Sequence, residues 1–121
     1  MTGKKILLVE DEYLVGINIR FTLNDAGYDV TGPIMRINSA LSIIDDNRFD
    51  AVVLDVNLGG QYSIAIAHKL SERGIPYLLL TGYTREDLPP EVYDAPLIEK
   101  PFQEDTLLET LRNMITDKNP S

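Results

Sequence analysis

Glu10, Asp11 and Asp55 each stand at the end of an apolar run, and Lys100 follows a third such run immediately before Pro101. Two of the runs, KILLV at Lys5–Val9 and AVVL at Ala51–Leu54, are short and aliphatic, as strands buried on both faces are. Laid side by side as parallel strands, they deliver the three carboxylates to one end of one sheet. Carboxylates drawn to within ~5 Å repel by ~3 kcal/mol per pair at an effective dielectric of ~20. Something must offset that. A bound proton would suffice, but an all-oxygen cluster with no His or Cys nearby suits a hard divalent ion, Mg²⁺ or Mn²⁺. Lys100 supplies a second, fixed positive charge. A nucleophilic carboxylate beside such an ion and a lysine can accept a phosphoryl group, because both cations neutralise the charge on its oxygens.

The elements that would position these groups alternate along the chain. After Glu10 and Asp11, Leu14–Ala26 places Leu14, Ile17 and Phe21 at helical spacing, with Gly27 suited to the position after the helix. Tyr28–Thr31 reads as a second strand closed by Gly32-Pro33, and Asn38 or Ser39 can cap a helix that turns Leu41 and Ile44 inward. The third strand runs into Asp55; Gly59-Gly60 mark a loop, and Tyr62–Arg73 reads as a helix with Ile66 and Leu70 on one face and Gly74 beyond it. Ile75–Leu80 is a fourth strand that delivers Thr81. Thr84 and Asp87 form a possible capping pair, but Pro89-Pro90 predict a short or distorted fourth helix. Pro96–Glu99 is a last strand, Glu104–Ile115 a last helix, and residues 116–121 a frayed polar tail. Five β-α alternations imply an α/β fold, a doubly wound parallel sheet with helices on both faces. Sites in such sheets form beyond the carboxyl ends of the strands, where Glu10, Asp11, Asp55, Thr81 and Lys100 all fall.

Composition narrows the partners. The chain has 121 residues, 44% of them hydrophobic, which suits one domain with no internal repeat or linker. Nineteen acids against 11 bases give a net charge of −8, which opposes direct binding to nucleic acid or to anionic membranes. Without cysteine there is neither a disulfide nor a thiolate metal site. Only five run residues precede Glu10, too few for a signal peptide or a membrane span, so a soluble, cytoplasmic protein is expected.

Four motifs in order, VEDE at Val9–Glu12, LDVNLGG at Leu54–Gly60, LLTG at Leu79–Gly82 and EKPF at Glu99–Phe102, resemble a response-regulator receiver domain over nearly the whole chain. The spacings of 44 residues from Asp11 to Asp55, 26 on to Thr81 and 19 on to Lys100 make the combination specific. The resemblance implies a flavodoxin-like three-layer sandwich with strand order 2-1-3-4-5. It implies that Asp55 is the phosphoacceptor for a sensor histidine kinase, and that Glu10, Asp11, Asp55 and the backbone carbonyl of Asn57 hold Mg²⁺. Thr81 would donate its hydroxyl to one phosphoryl oxygen and Lys100 would pair with another, while the Lys100-Pro101 bond would be cis.

The sequence also departs from the common receiver pattern. Leu97 stands three residues before Lys100, where many receivers carry a Tyr or Phe that moves with the threonine. Thr81-Gly82-Tyr83 resembles a subgroup, often single-domain, with a Phe-Ala-Thr-Gly-type motif, although Leu79 and Leu80 replace the Phe and Ala. Tyr83 is thus a candidate substitute switch. The expected function is a stand-alone receiver, not an enzyme acting on a separate substrate. It would signal by phosphorylation-dependent docking on a protein target or act as a phosphate relay or sink. It would be a monomer or a weak homodimer through Arg85–Arg112.

Each residue has a plainer reading. Acids after strands stabilise turns, Thr81 could cap a turn, and Lys100 could be a solvated charge. A Mg²⁺-dependent phosphohydrolase would want an acid where Asn57 stands, and a flavin carrier's phosphate would be repelled by Glu10-Asp11-Glu12. A scaffold with an inactive site would need none of the five key residues. His68 has no second ligand in view, Met35 and Met114 read as packing, and the pairs Asp45-Asp46 and Glu104-Asp105 read as solvated.

Overall fold

The computed structural model describes residues 3–58, 61–82, 86, 88–92 and 94–117, with only the backbone at 58, 61, 62, 91, 116 and 117. In chain order the elements are β1 (Lys5–Val9), α1 (Tyr13–Asp25), β2 (Asp29–Ile34), α2 (Ile37–Asp46), β3 (Ala51–Asp55), β4 (Asn57–Leu58), β5 (Gln61–Tyr62), α3 (Ile64–Glu72), β6 (Tyr77–Thr81), β7 (Leu97–Glu99) and α4 (Glu104–Asp117). Five strands form one parallel sheet in the order β2-β1-β3-β6-β7, while β4 and β5 form a separate antiparallel hairpin. Counting the sheet strands alone, the order is the expected 2-1-3-4-5. A 3-10 turn at Pro90–Val92 stands among the described residues where a regular fourth helix was in doubt.

The continuous apolar runs resolve into a period of two once they are in the sheet. Leu7, Val9, Val52, Leu54 and Leu79 point into a core beneath α2 and α3 that includes Ile44, Ile66 and Leu70. Ile6, Leu8, Val53, Leu78 and Leu80 point the other way, against Ile19 and Leu23 of α1 and Leu107 and Leu111 of α4. Both faces of the sheet are therefore covered. In the described residues no helix is long and apolar enough to cross a membrane.

Several local expectations change. β2 does not stop at Gly32-Pro33 but runs through it to Ile34, with a register shift opposite β1 between Leu7 and Val9. A proline lacks an N–H, and an edge strand such as β2 has a side that needs none. Gly32 has φ +122, and a Cβ there would meet the Leu8 carbonyl oxygen, so only glycine fits. α2 starts at Ile37, so Asn38 and Ser39 lie within its first turn instead of capping it. Tyr62 belongs to the β4–β5 hairpin, not to α3. Leu14 and Phe21 are exposed; α1 buries Gly16, Ile19 and Leu23. Met35 is also exposed, whereas Met114 packs against the core as expected. Asp45 is not merely solvated: it accepts hydrogen bonds from Lys69 and Arg73 and ties α2 to α3. Glu104 likewise accepts from the Thr22 hydroxyl at 2.9 Å, joining α4 to α1. Gly59, Gly60, Thr84 and Asp87 lie outside the described residues.

Candidate functional site

Strand register gathers the site. β1 and β3 run level, Val9 beside Leu54, so Glu10 and Asp55 leave the sheet together. β3 pairs Asp55 with Leu80, and β6 pairs Thr81 with Glu99, which puts Thr81 and Lys100 one step beyond on the next strands. Main-chain bonds fix those exits. The Glu10 N–H donates to the Ile34 carbonyl at 2.9 Å, that of Val56 to Leu80 at 3.0 Å, and that of Lys100 to Thr81 at 2.8 Å.

Glu10, Asp55 and Thr81 are buried, and Asp11 and Asn57 are half-buried. Glu10, Asp11 and Asp55 each offer a carboxylate oxygen, and these atoms all lie within 4.8 Å of one another. The Lys100 ammonium donates to Glu10 Oε1 at 3.0 Å and Asp55 Oδ2 at 3.4 Å, and stands 3.9 Å from Glu12 Oε1. The Asn57 N–H donates to Asp55 Oδ1 at 3.3 Å, and the Glu12 N–H to Glu10 Oε2 at 3.2 Å. The Lys100-Pro101 bond is cis. Leu97 is half-buried against the α2–α3 core, and Tyr83 lies outside the described residues.

Burial pushes the Asp55 carboxyl up, and Glu10 beside it adds to the rise; Lys100 and the Asn57 N–H oppose them, leaving it at about 8. Burial alone would depress the Lys100 ammonium, but its hydrogen bond to Glu10 and the charge of Asp55 outweigh that and hold it above the ordinary lysine value. The pocket thus demands more positive charge than one lysine provides. Mg²⁺ binds oxygens at about 2.1 Å, so its ligands sit about 3 to 4 Å apart, close to the spacing of this cluster. Its donor set of three carboxylates fits that ion.

Two residues escaped the sequence reading. Glu12, read in the sequence only as part of an acidic run, is a third carboxylate near Lys100 after Glu10 and Asp55, a placement detectable only once α1 is seen to start immediately after it. Ser63 is buried beneath Asp55, with its hydroxyl 2.7 Å from the Asp55 carbonyl oxygen. In the sequence it falls within the expected helix Tyr62–Arg73 and looks like any serine of a first helical turn. Beside the site, an apolar groove of about 500 Å³ runs between α1 and the start of α4, with Val15, Ile19, Phe102 and Leu107 in its walls and Lys100 at its edge.

A family profile described as "Response regulator receiver domain" matches residues 6–112. Sporulation initiation phosphotransferase F of Bacillus subtilis is 26% identical over 98% of this chain and 99% of its own length. Transcriptional regulatory protein PdtaR of Mycobacterium tuberculosis is 26% identical over 82% of the chain, which spans only 50% of that relative. The solution structure of SdrG from Sphingomonas melonis Fr1 superposes with a TM-score of 0.80 at 31% identity, covering 95% of this chain and 99% of that one.

Proposed function

Because the chain belongs to the response regulator receiver domain family, we propose that Asp55 accepts a phosphoryl group from the phosphohistidine of a sensor histidine kinase in the cytoplasm, with Mg²⁺ in the acid pocket. One observation carries this reading: Asp11 and Asp55 lie within 4.8 Å of Glu10, and Lys100 donates to both Glu10 and Asp55 at the carboxyl edge of the sheet. An Asp55 carboxylate oxygen attacks phosphorus, the bond from phosphorus to the histidine nitrogen breaks, and the imidazole leaves. Glu10, Asp11 and the Asn57 carbonyl hold the metal with Asp55, and when bound it supplies positive charge to the phosphoryl oxygens. Lys100 turns from Glu10 to a phosphoryl oxygen, and the Thr81 hydroxyl donates to another. The chain catalyses only its own phosphorylation and dephosphorylation.

The phosphorylated surface then docks on a protein target. A second reading, a phosphate relay between a kinase and other receivers, is favoured by the likeness to sporulation initiation phosphotransferase F along almost the full length of both chains. The phosphoryl lifetime and back-transfer to the kinase separate the two. The common step is tested by incubating wild type and Asp55→Asn with acetyl phosphate and Mg²⁺ and measuring intact mass. Wild type gains one phosphoryl group and the variant none; equal labelling of both would overturn the assignment.

A further inference from the structure

We infer that Ser63 is a positioning residue: its buried hydroxyl anchors the main chain at Asp55 and Val56, and thereby sets the Asp55 carboxylate and the Asn57 carbonyl at the acid pocket. This rests on the phosphoacceptor reading of Asp55 given above.

Ser63 precedes the first residue of α3, where a serine ordinarily accepts a hydrogen bond from a backbone N–H of the helix's first turn. Here it makes no such bond. Its side chain turns back instead, 2.7 Å from the Asp55 carbonyl oxygen and 3.1 Å from that of Val56. A hydroxyl carries one proton, so it serves these two acceptors in turn, with the shorter contact to Asp55. The Ser63 N–H holds the Val56 carbonyl at 2.8 Å, and the Ser63 carbonyl accepts from the Ile66 and Ala67 N–H groups at 3.1 and 3.2 Å. One residue therefore joins the end of β3, the base of the β4–β5 hairpin and the first turn of α3.

Its depth makes the anchor consequential. Ser63 is 2% exposed and Val56 equally so, which leaves no water to replace a lost donor. The two peptides after the Asp55 α-carbon are then constrained from both ends: the hydroxyl holds the Asp55 carbonyl, and the Asn57 N–H holds Asp55 Oδ1 at 3.3 Å. A rotation of the Asp55–Val56 peptide would carry the Asn57 carbonyl with it. A site that needs both groups aimed at one ion is sensitive to such a rotation even when the fold survives.

The test compares Ser63→Ala and Ser63→Thr with wild type in the full chain, by NMR titration with Mg²⁺ and by the Mg²⁺ concentration giving half-maximal labelling by acetyl phosphate. Ser63→Ala weakens Mg²⁺ about three- to tenfold and moves the half-maximal concentration by the same factor, whereas Ser63→Thr, which keeps the hydroxyl, stays within about twofold. Leu111→Ala, in the core beneath α4 and remote from the hairpin, loses stability without moving either quantity. A folded Ser63→Ala with wild-type Mg²⁺ affinity, or a Thr variant as weak as Ala, overturns the inference. Should Ser63→Ala fail to fold, Ser63→Cys keeps the volume with a weaker donor and is judged by the same Mg²⁺ criterion. Absence of labelling in wild type would sink the phosphoacceptor reading, while the Mg²⁺ titration still decides the role of Ser63.

Discussion

At Asp55 a carboxyl held at about 8 and an ordinary unfolded value of 3.8 have a definite thermodynamic consequence. Between those values the folded chain keeps a proton that the unfolded chain has released, so without metal the folded state loses stability as pH rises through that window. Melting temperature of the metal-free protein should therefore fall from about pH 5 to about pH 8 by on the order of 5 °C more in wild type than in Asp55→Asn. Parallel slopes in the two proteins would show that Asp55 is not protonated in the pocket. The same acids were legible in the sequence because each ends an apolar run, and Lys100 because its run precedes a proline. Glu12 and Ser63 were not, since their roles depend on how closely α1 and α3 follow the strand ends. Asp45 read as a solvated acid because its partners, Lys69 and Arg73, lie a helix away.

At the scale of elements, α1 shows where periodicity runs out. Its apolar residues occupy two helical rows, Val15, Ile19 and Leu23 on one and Leu14, Ile17 and Phe21 on the other, and spacing alone does not say which is buried. The fold buries the first; Leu14 is 76% and Phe21 73% exposed. If Asp55 takes its phosphoryl group from a kinase as proposed, exposed side chains of that size beside an apolar groove that ends at Lys100 give the phosphodonor protein a surface to dock on. Leu14→Glu should therefore slow phosphoryl transfer from the histidine kinase that labels wild type by about tenfold. Labelling by acetyl phosphate, which needs no docking, should stay the same, and equal slowing with both donors would refute a docking role. The same helix approaches β2 closely at Gly16, where a Cβ would lie 2.6 Å from Pro33 Cβ and 2.8 Å from its Cγ. Gly16→Ala should cost about 1–3 kcal/mol in chemical denaturation, because the proline ring and the helix backbone have little room to yield. An unchanged midpoint would show that the two elements separate freely. That contact was hidden in the sequence, where Gly32-Pro33 read as the end of a strand and not as an edge strand continuing under α1.

For the molecule as a whole, the alternation of apolar runs and helical patterns carried the fold, because a parallel sheet covered on both faces leaves few ways to connect its strands. The hairpin of β4 and β5 was not legible: its strands have two residues each, too few for any periodic signal. What the fold achieves is to bring buried acids from two strands against a lysine from a third, in a chain whose net charge is −8. The acid pocket favours added positive charge, as the raised Asp55 carboxyl shows, and in the proposed function that preference is what would couple metal binding to phosphoryl acceptance. The most direct test is to label the protein with acetyl phosphate with and without Mg²⁺, reduce the acyl phosphate with borohydride, and map the altered residue by peptide mass. The account predicts conversion at position 55 alone, and only with the divalent ion; modification at another residue, or equal labelling without metal, would contradict it.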